Sequence, residues 1–350
     1  MENIVEKLKT THNLTNEEVK TLIETDKYDS ELFLASDEIR RREYGTDVYI
    51  RGLIEFTNYC KQNCYYCGIR RDNKKAMRYR LDKSDILDCC NLGYSLGFRT
   101  FVLQGGEDAY YTDDLLCDIV SEIKKAHPDC AVTLSVGEKS YNSYKRLKEA
   151  GADRYLLRHE TADCNHYKLL HPDSQSLETR KKCLFDLKEL GYQVGSGFMV
   201  GSPGQTTENI ISDLRFLQEL EPQMIGIGPF LPHKETPFAD EKAGEYRLTL
   251  RLIAVLRLMF PKTLLPATTA LGTIIKGGRE KGLTVGANVV MPNLSPASVR
   301  KKYAIYDNKL YTDEEAAEGL EKLKKAVSEI GYRVVSDIGH SKSYIKGKGE

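Results

Sequence analysis

The sequence lacks three features: a net charge, a long apolar run, and any cysteine after Cys183. Its 51 basic residues balance 51 acidic ones, so nothing indicates a polyanion such as nucleic acid as a main partner. It has no run of about 20 apolar residues, which excludes a membrane-spanning helix by length. Its N-terminus lacks the apolar segment of a signal peptide. We therefore expect a cytoplasmic protein, whose nine cysteines are ligands or buried thiols rather than disulfides.

The first 46 residues are predicted to be helical, because apolar residues recur at helical spacing and Thr15 offers an N-cap followed by acids. Gly45 then breaks the pattern. From there, short apolar runs typical of buried strands alternate with amphipathic helical segments. The predicted strands are 48–56, 100–103, 131–136, 154–157, 194–200, 224–227, 264–267 and 287–291. The predicted helices are 84–96, 113–126, 143–150, 179–190, 207–220, 246–259 and a short 275–281.

Apolar strands separated by helices predict an α/β fold, a complete (β/α)8 TIM-type barrel with an N-terminal helical extension and a C-terminal helix. A doubly wound sheet is the alternative, although eight strand–helix units of roughly even length favour closure into a barrel. We expect the helical extension over 1–46, the barrel over 47–300, and over 301–350 a C-terminal helix (314–330) and a polar tail. In such a barrel the functional residues lie at the carboxyl ends of the strands.

Cys60, Cys64 and Cys67 follow the first predicted strand at spacings of four and three residues. Three thiolates can hold three irons of a [4Fe–4S] cluster and leave the fourth iron open to a small molecule. A zinc site is the alternative, but structural zinc takes four ligands, usually as two separated pairs. The next cysteines, Cys89 and Cys90, lie more than twenty residues further along the chain. The pattern therefore favours an iron–sulfur cluster.

Other strand ends also carry groups suited to a ligand. The segment Gln104-Gly105-Gly106-Glu107 follows the second strand, and adjacent glycines let the backbone approach a ligand closely. The seventh strand ends in Thr268 and Thr269, whose hydroxyls could bind a carboxylate or another anion. Both features also have ordinary structural readings, as a turn and as β-branched strand residues.

The fourth strand ends in Arg158, His159 and Glu160, and adjacent ionisable side chains at such a position are costly unless they are engaged. Glu160 suits an amine or a ribose, and Arg158 suits a carboxylate because its guanidinium is a planar fork. His159 is expected to face away and to be structural. Arg180, at the start of the next helix, could either bind a carboxylate or lie on the surface.

The cysteine spacing after a first barrel strand resembles the radical S-adenosylmethionine (SAM) superfamily. That resemblance implies that the open iron binds the methionyl part of SAM and that reductive cleavage yields a 5′-deoxyadenosyl radical. It also implies that Tyr66 contacts adenine through its backbone, that the 104–107 segment receives the methionine amino group, and that the strand carrying Met199 supports adenine.

Longer strings resemble one branch, the HydE maturases of [FeFe]-hydrogenase: CGIRRDN from Cys67, LLRHET from Leu156, MVGSPGQT from Met199, IGIGPF from Ile225 and PATTA from Pro266. The resemblance implies assembly of the di-iron subcluster alongside partner maturases and a reductant. The implied substrate is a cysteine-bound iron carbonyl cyanide complex, whose sulfur the radical attacks. A cysteine or thiazolidine carboxylate in the barrel would suit Arg158, Arg180, Thr268 and Thr269, with Thr133 and Ser135 lining the same cavity.

One departure is that some members of that family carry three further cysteines near the C-terminus for an auxiliary cluster, whereas residues 184–350 contain none here. The six cysteines outside the motif are expected to be mainly buried, inert thiols. The alternatives are a methylornithine synthase-like lysine mutase, a biotin synthase-like enzyme, and a non-catalytic iron–sulfur scaffold.

Overall fold

Three helices precede the sheet in the computed structural model, which describes residues 3–310 and 315–344. They are α1 (Ile4–Thr11), α2 (Asn16–Glu24) and α3 (Asp29–Tyr44). The predicted cap is confirmed, because the Thr15 hydroxyl accepts from the Glu18 amide while the Glu18 carboxylate accepts from the Thr15 amide. Gly45, with φ of 60°, ends α3.

A six-stranded parallel sheet forms the centre of the molecule. Its strands, in spatial order, are β2 (Gly52–Thr57), β3 (Thr100–Gly105), β4 (Ala131–Ser135), β5 (Arg154–Leu156), β6 (Gln193–Ser196) and β8 (Met224–Ile225). Most of its residues are buried, apolar ones such as Val102 and Leu134 among them, as expected for a parallel sheet covered on both faces. The fold is therefore TIM-barrel-like.

Beyond this sheet, backbone pairing continues through shorter contacts. A three-stranded parallel sheet joins β10 (Val289–Val290), β1 (Asp47–Ile50) and β11 (Arg333–Val335). Single parallel bridges join Met224 to Leu264, Pro266 to Val289, and Leu53 to Asn293. The predicted strand 264–267 is thus represented by isolated bridges. The predicted strand 194–200 is divided between β6 and β7 (Met199–Val200), and β7 pairs with β9 (Gly228–Pro229).

The predicted helices are confirmed, three of them with the same bounds. Those three are α5 (Asp113–Ala126), α9 (Thr207–Leu220) and α10 (Tyr246–Met259). Three others shift by one or two residues at each end: α4 (Lys83–Ser95), α6 (Tyr141–Glu149) and α8 (Leu177–Glu189). The helix predicted over 275–281 is wrong in its start, because α11 (Thr269–Ile274) and α12 (Gly278–Thr284) meet there with Gly277 in a left-handed conformation. Helix α10 is buried from Thr249 to Met259, and α1, α2 and α3 pack over it.

Five elements have no counterpart among the sequence-based predictions. They are α7 (Cys164–Leu170), α11, α13 (Ala297–Arg300), β9 and β11. The predicted helix 314–330 corresponds to α14 (Ala316–Glu329). Its first residue and the end of the predicted polar tail, 345–350, lie outside the described residues. No helix in the described ranges is long and apolar enough to cross a membrane.

Candidate active site

Cys60, Cys64 and Cys67 lie on the loop after β2 and line one cavity of about 320 Å³ at the carboxyl ends of the strands. Burial raises the pKa of all three thiols, that of Cys64 to about 12, and the neighbouring sulfurs raise that of Cys67 further. Three thiolates in such a place require a compensating cation, which the irons of a cluster supply. No three His, Cys, Asp or Glu side chains of the described residues are arranged for a single metal ion. Cluster cysteines bind separate irons, so they need not converge in that way.

The end of β3 fits closely under the cysteine loop. A Cβ atom added to Gly106 would lie 2.2 Å from the Tyr59 carbonyl oxygen and 2.7 Å from Cys60 Cβ. The next residue, Glu107, donates its backbone N–H to Cys60 Sγ at 3.4 Å. Only glycine therefore permits this approach of backbone to loop.

The Glu107 carboxylate is fixed from several sides. Its Oε2 accepts from Gln62 Nε2 at 2.8 Å and lies 3.4 Å from Lys61 Nζ. Its Oε1 accepts from the Glu138 backbone N–H at 3.1 Å. A Cβ on Gly137 would lie 2.3 Å from Glu107 Oε1. Glu107 is consequently held as an acceptor at the edge of the cavity.

Arg158 and Glu160 form an ion pair after β5, with Nη2 3.0 Å from Oε2. Glu160 has φ of 64°, which is uncommon for a residue with a side chain. Backbone bonds from Glu160 N to Gly197 O and from Met199 N to Glu160 O hold this turn in place. The two charges therefore face the cavity as a fixed unit.

Arg180, on α8, reaches the same cavity and pairs with Glu138, with Nε 2.6 Å from Oε1. Burial alone would lower the pKa of Arg180, but Tyr167 and Glu138 outweigh it, so that the pKa is raised. The guanidinium is therefore a permanent buried cation beside the cysteine loop.

His159 turns away from the cavity into the layer between β5 and α9, as the sequence predicts. Its side chain is fully buried, with Nδ1 2.9 Å from Ser196 Oγ and Nε2 3.3 Å from Asp213 Oδ1. Burial lowers the pKa of His159 and raises that of Asp213, and both shifts favour the neutral forms. This buried network supports the turn that carries Glu160, because Asp213 also accepts from the Ala162 amide.

The structure brings most of the predicted site residues together. The cavity is lined, among others, by Cys60, Cys64, Tyr66, Cys67, Gln104, Gly105, Gly106, Glu107, Ser135, Arg158, Glu160, Arg180, Met199 and Thr268. Thr133 is a correction, because it lines a separate small cavity with Arg51 and Arg154. Thr268 lines the cavity and caps α11, whose first residue is Thr269.

Several lining residues carry no sequence signal that identifies them. Gln62, Gln175, Tyr303 and Tyr306 all face the cavity. The tyrosines come from the segment after α13, which is joined to the cysteine loop by the bond from Gly68 N to Ile305 O. The C-terminal part of the chain therefore helps to cover the barrel mouth.

All nine cysteines lie in the described ranges and are unpaired. Outside the motif, Cys89, Cys90, Cys130 and Cys183 are buried, which confirms the expectation for those thiols. Cys117 is half-buried, and Cys164 is exposed, contrary to that expectation.

Comparison with known proteins identifies relatives over most of the chain. The pattern of the radical SAM superfamily matches residues 54–217. The [FeFe] hydrogenase maturase subunit HydE of Thermotoga maritima is 48% identical over 315 residues, which are 90% of each chain. The 3-methylornithine synthase of Methanosarcina barkeri is 31% identical over 303 residues, or 85% of each chain. The crystal structure of methylornithine synthase superimposes with a TM-score of 0.84 at 28% identity, over 95% of this chain and 97% of that one.

Proposed function

The chain belongs to the HydE family of radical SAM enzymes, and from this premise we propose that Cys60, Cys64 and Cys67 hold one [4Fe–4S] cluster beside SAM. It is a radical SAM enzyme and an [FeFe]-hydrogenase maturase of the HydE type. The convergence of the three thiols on one cavity carries the proposal for the ligands. When bound and reduced, the cluster would supply the electron that cleaves SAM to a 5′-deoxyadenosyl radical.

The proposed SAM site uses side chains that the structure holds in fixed positions. Glu107 and Glu160 offer carboxylates to the amine and ribose hydroxyls, and Arg180 offers a guanidinium to the methionyl carboxylate. The remaining residues supply backbone, apolar walls or short polar groups around the adenosine. These are Tyr66, Gln104, Gly105, Gly106, Ser135 and Met199.

The proposed substrate is a small cysteine-bound iron carbonyl cyanide complex or a related thiazolidine carboxylate, whose sulfur accepts the adenosyl radical. Arg158 and Thr268 line the cavity and could orient its carboxylate. Buried Arg158 Nε has no hydrogen-bond partner among the described residues, which supports an anion there. Thr133 lines the separate small cavity, and Thr269, next to Thr268, stays a candidate for the same carboxylate. Partner maturases would deliver and receive the intermediates, and an external reductant would supply the electron.

We further propose that the barrel is complete. The bridges Met224–Leu264, Pro266–Val289 and Leu53–Asn293 support an eight-stranded ring that closes through β1 and β2. The proposed barrel domain is 47–300, with 1–46 as the helical extension and 301–350 as the C-terminal unit.

The second candidate is a methylornithine synthase-like mutase, which the overall similarity of fold favours. Turnover distinguishes the candidates. The anaerobically reconstituted protein is given SAM, a reductant and the iron–cysteine complex, and we expect 5′-deoxyadenosine with an adenosylated sulfur product. Conversion of lysine to methylornithine would instead establish the mutase. A bound cluster that never cleaves SAM would indicate a scaffold.

Cys64→Ser tests the ligand assignment separately. We expect the variant to lose the visible absorbance of the cluster and all SAM cleavage, because serine is a poor ligand for cluster iron. Cys117→Ser is the matched control, since Cys117 is a half-buried thiol on α5. Retained cleavage in Cys64→Ser would refute the assignment.

A further inference from the structure

Gln175 places a side-chain amide against one of the three cysteines of the motif. It lies in the connection between α7 and α8, where its backbone N–H donates to Pro172 O at 2.9 Å. The residue is 7% exposed and lines the cavity. Gln175 Oε1 lies 3.4 Å from Cys64 Sγ and accepts from the thiol. Its Nε2 is buried and has no hydrogen-bond partner among the described residues.

The orphaned amide nitrogen has a natural partner once Cys64 binds iron. A thiolate ligand has no proton to donate, so the present bond to Oε1 cannot persist. The oxygen and nitrogen of an amide are nearly equal in shape, and a half-turn about the terminal torsion exchanges their positions. The turn places an N–H donor at the sulfur and removes an unsatisfied buried donor.

The segment that carries Gln175 is fastened to the cysteine loop. Tyr65 N donates to Leu170 O at 3.0 Å, and the Tyr66 hydroxyl lies 3.2 Å from His171 Nε2. His171 Nδ1 donates its proton to the Tyr167 carbonyl at 3.0 Å. The neutral ring therefore has Nε2 free to accept from the Tyr66 hydroxyl. The amide is therefore held at a fixed distance from the Cys64 sulfur.

We propose that Gln175 is a positioning residue that donates an amide hydrogen bond to the cluster through the Cys64 sulfur and thereby raises the reduction potential of the cluster. Reduction adds negative charge to the cluster and its sulfurs, and an N–H dipole at a sulfur stabilises the reduced form more than the oxidised one. This inference rests on the proposed ligation of the cluster by Cys64.

The test is a redox titration of the reconstituted protein, followed by electron paramagnetic resonance. Gln175→Leu and Gln175→Met both remove the donor without adding charge, and the second keeps an unbranched side chain. We expect each variant to shift the equilibrium between the oxidised and reduced cluster about tenfold toward the oxidised form. For a one-electron couple this makes the reduction potential roughly 59 mV more negative. The dissociation constant for SAM should stay unchanged. Gln218→Leu is the matched control, since the Gln218 amide on α9 donates to Asn13 Oδ1 at 3.2 Å, away from the cavity, and the potential of this variant should equal that of the wild type.

The outcomes separate this inference from the proposed function. An unchanged potential in both Gln175 variants overturns it, and weaker SAM binding at an unchanged potential assigns Gln175 to the cofactor site instead. If Gln175→Leu fails to fold or assemble, Gln175→Met decides. A wild-type protein that assembles no cluster, or a Cys64→Ser variant that keeps one, refutes the ligation itself.

Discussion

Arg180 on α8 and Glu138 after β4 are joined by an ion pair at the edge of the cavity, with Arg180 Nε 2.6 Å from Glu138 Oε1. Their side chains are only 10% and 15% exposed. Arg180 Nη1 also donates to the Arg158 carbonyl at 3.2 Å, so the guanidinium bridges two loops of the barrel mouth. A buried cation of this kind depends on its counter-ion, and a ligand carboxylate would compete for it.

Glu138→Gln removes the negative charge and keeps the shape of the side chain. We expect the free energy of unfolding of the apoprotein to fall by about 3 kcal/mol, because Arg180 is left as an uncompensated buried charge. Denaturation in urea measures the loss. Binding of SAM should at the same time tighten if Arg180 receives its carboxylate.

Glu149→Gln is the control for this change. Glu149 pairs with Lys145 at 3.9 Å, but both side chains are more than half exposed, so solvent screens the pair. A loss of stability as large in Glu149→Gln as in Glu138→Gln would show that burial of the Arg180 pair is unimportant.

Gly106→Ala tests the close approach of β3 to the cysteine loop. The added methyl would lie 2.2 Å from the Tyr59 carbonyl oxygen, and backbone cannot yield cheaply at that distance. We expect the loop to be displaced, with loss of iron and of cluster absorbance while the circular dichroism of the fold is kept. In the control Gly226→Ala, the new Cβ would have its nearest neighbour, Pro266 Cγ, at 3.6 Å, an ordinary contact. Equal iron content in both variants would contradict this account.

Local signals in the sequence are sufficient for most of the strands and helices and for the cysteine loop. Helix α9 illustrates this, since the Thr206 cap and the apolar spacing reproduce its bounds. Contacts between distant segments leave no such signal. Gln175 reaches Cys64 only because α7 brings its loop against the cysteine loop, and α7 is too short for a clear apolar period.

Thr133 and Ser135 lie at different depths in the barrel, although both belong to the end of β4. Thr133 and Ser135 lie on the same face of β4, since alternate residues of a strand share a face. Two residues of a strand span roughly 6.6 Å, so Thr133 lies one layer deeper than Ser135 and reaches a different cavity. The alternation is visible in the sequence, but the depth at which the cavity ends depends on side chains from other strands.

His171 makes the stability of the apoprotein depend on pH. Burial, assisted by the charge of Arg180, lowers the pKa of His171 from its ordinary 6.5 to about 3. The unfolded chain therefore binds a proton before the folded one does. The contribution of neutral His171 to the free energy of unfolding is complete above about pH 6.5 and is lost as the pH falls toward 3.

From pH 7 to pH 5 this single group should cost about 2 kcal/mol of unfolding free energy. His171→Gln keeps an acceptor for Tyr66 but cannot be protonated, so its stability should fall by that much less over the same interval. Parallel urea titrations of the two apoproteins at pH 7 and pH 5 measure the difference. Identical pH dependence in the two proteins would show that His171 titrates normally in the folded chain.

Thr133→Val tests the assignment of this residue to a separate cavity. Its hydroxyl is buried and, among the described residues, has no hydrogen-bond partner. Replacing it with a methyl group should leave SAM cleavage unchanged and raise the free energy of unfolding by up to about 1 kcal/mol, because an unsatisfied polar group is removed.

Thr100→Val is the matched control, since Thr100 Oγ1 donates to Ile338 O at 2.7 Å and accepts from Arg154 Nη1 at 2.9 Å. The free energy of unfolding of that variant should fall by about 1–3 kcal/mol, because both partners lose their hydrogen bond to the Thr100 hydroxyl. If Thr133→Val instead impairs cleavage or substrate binding, Thr133 contacts the ligand and the two cavities communicate.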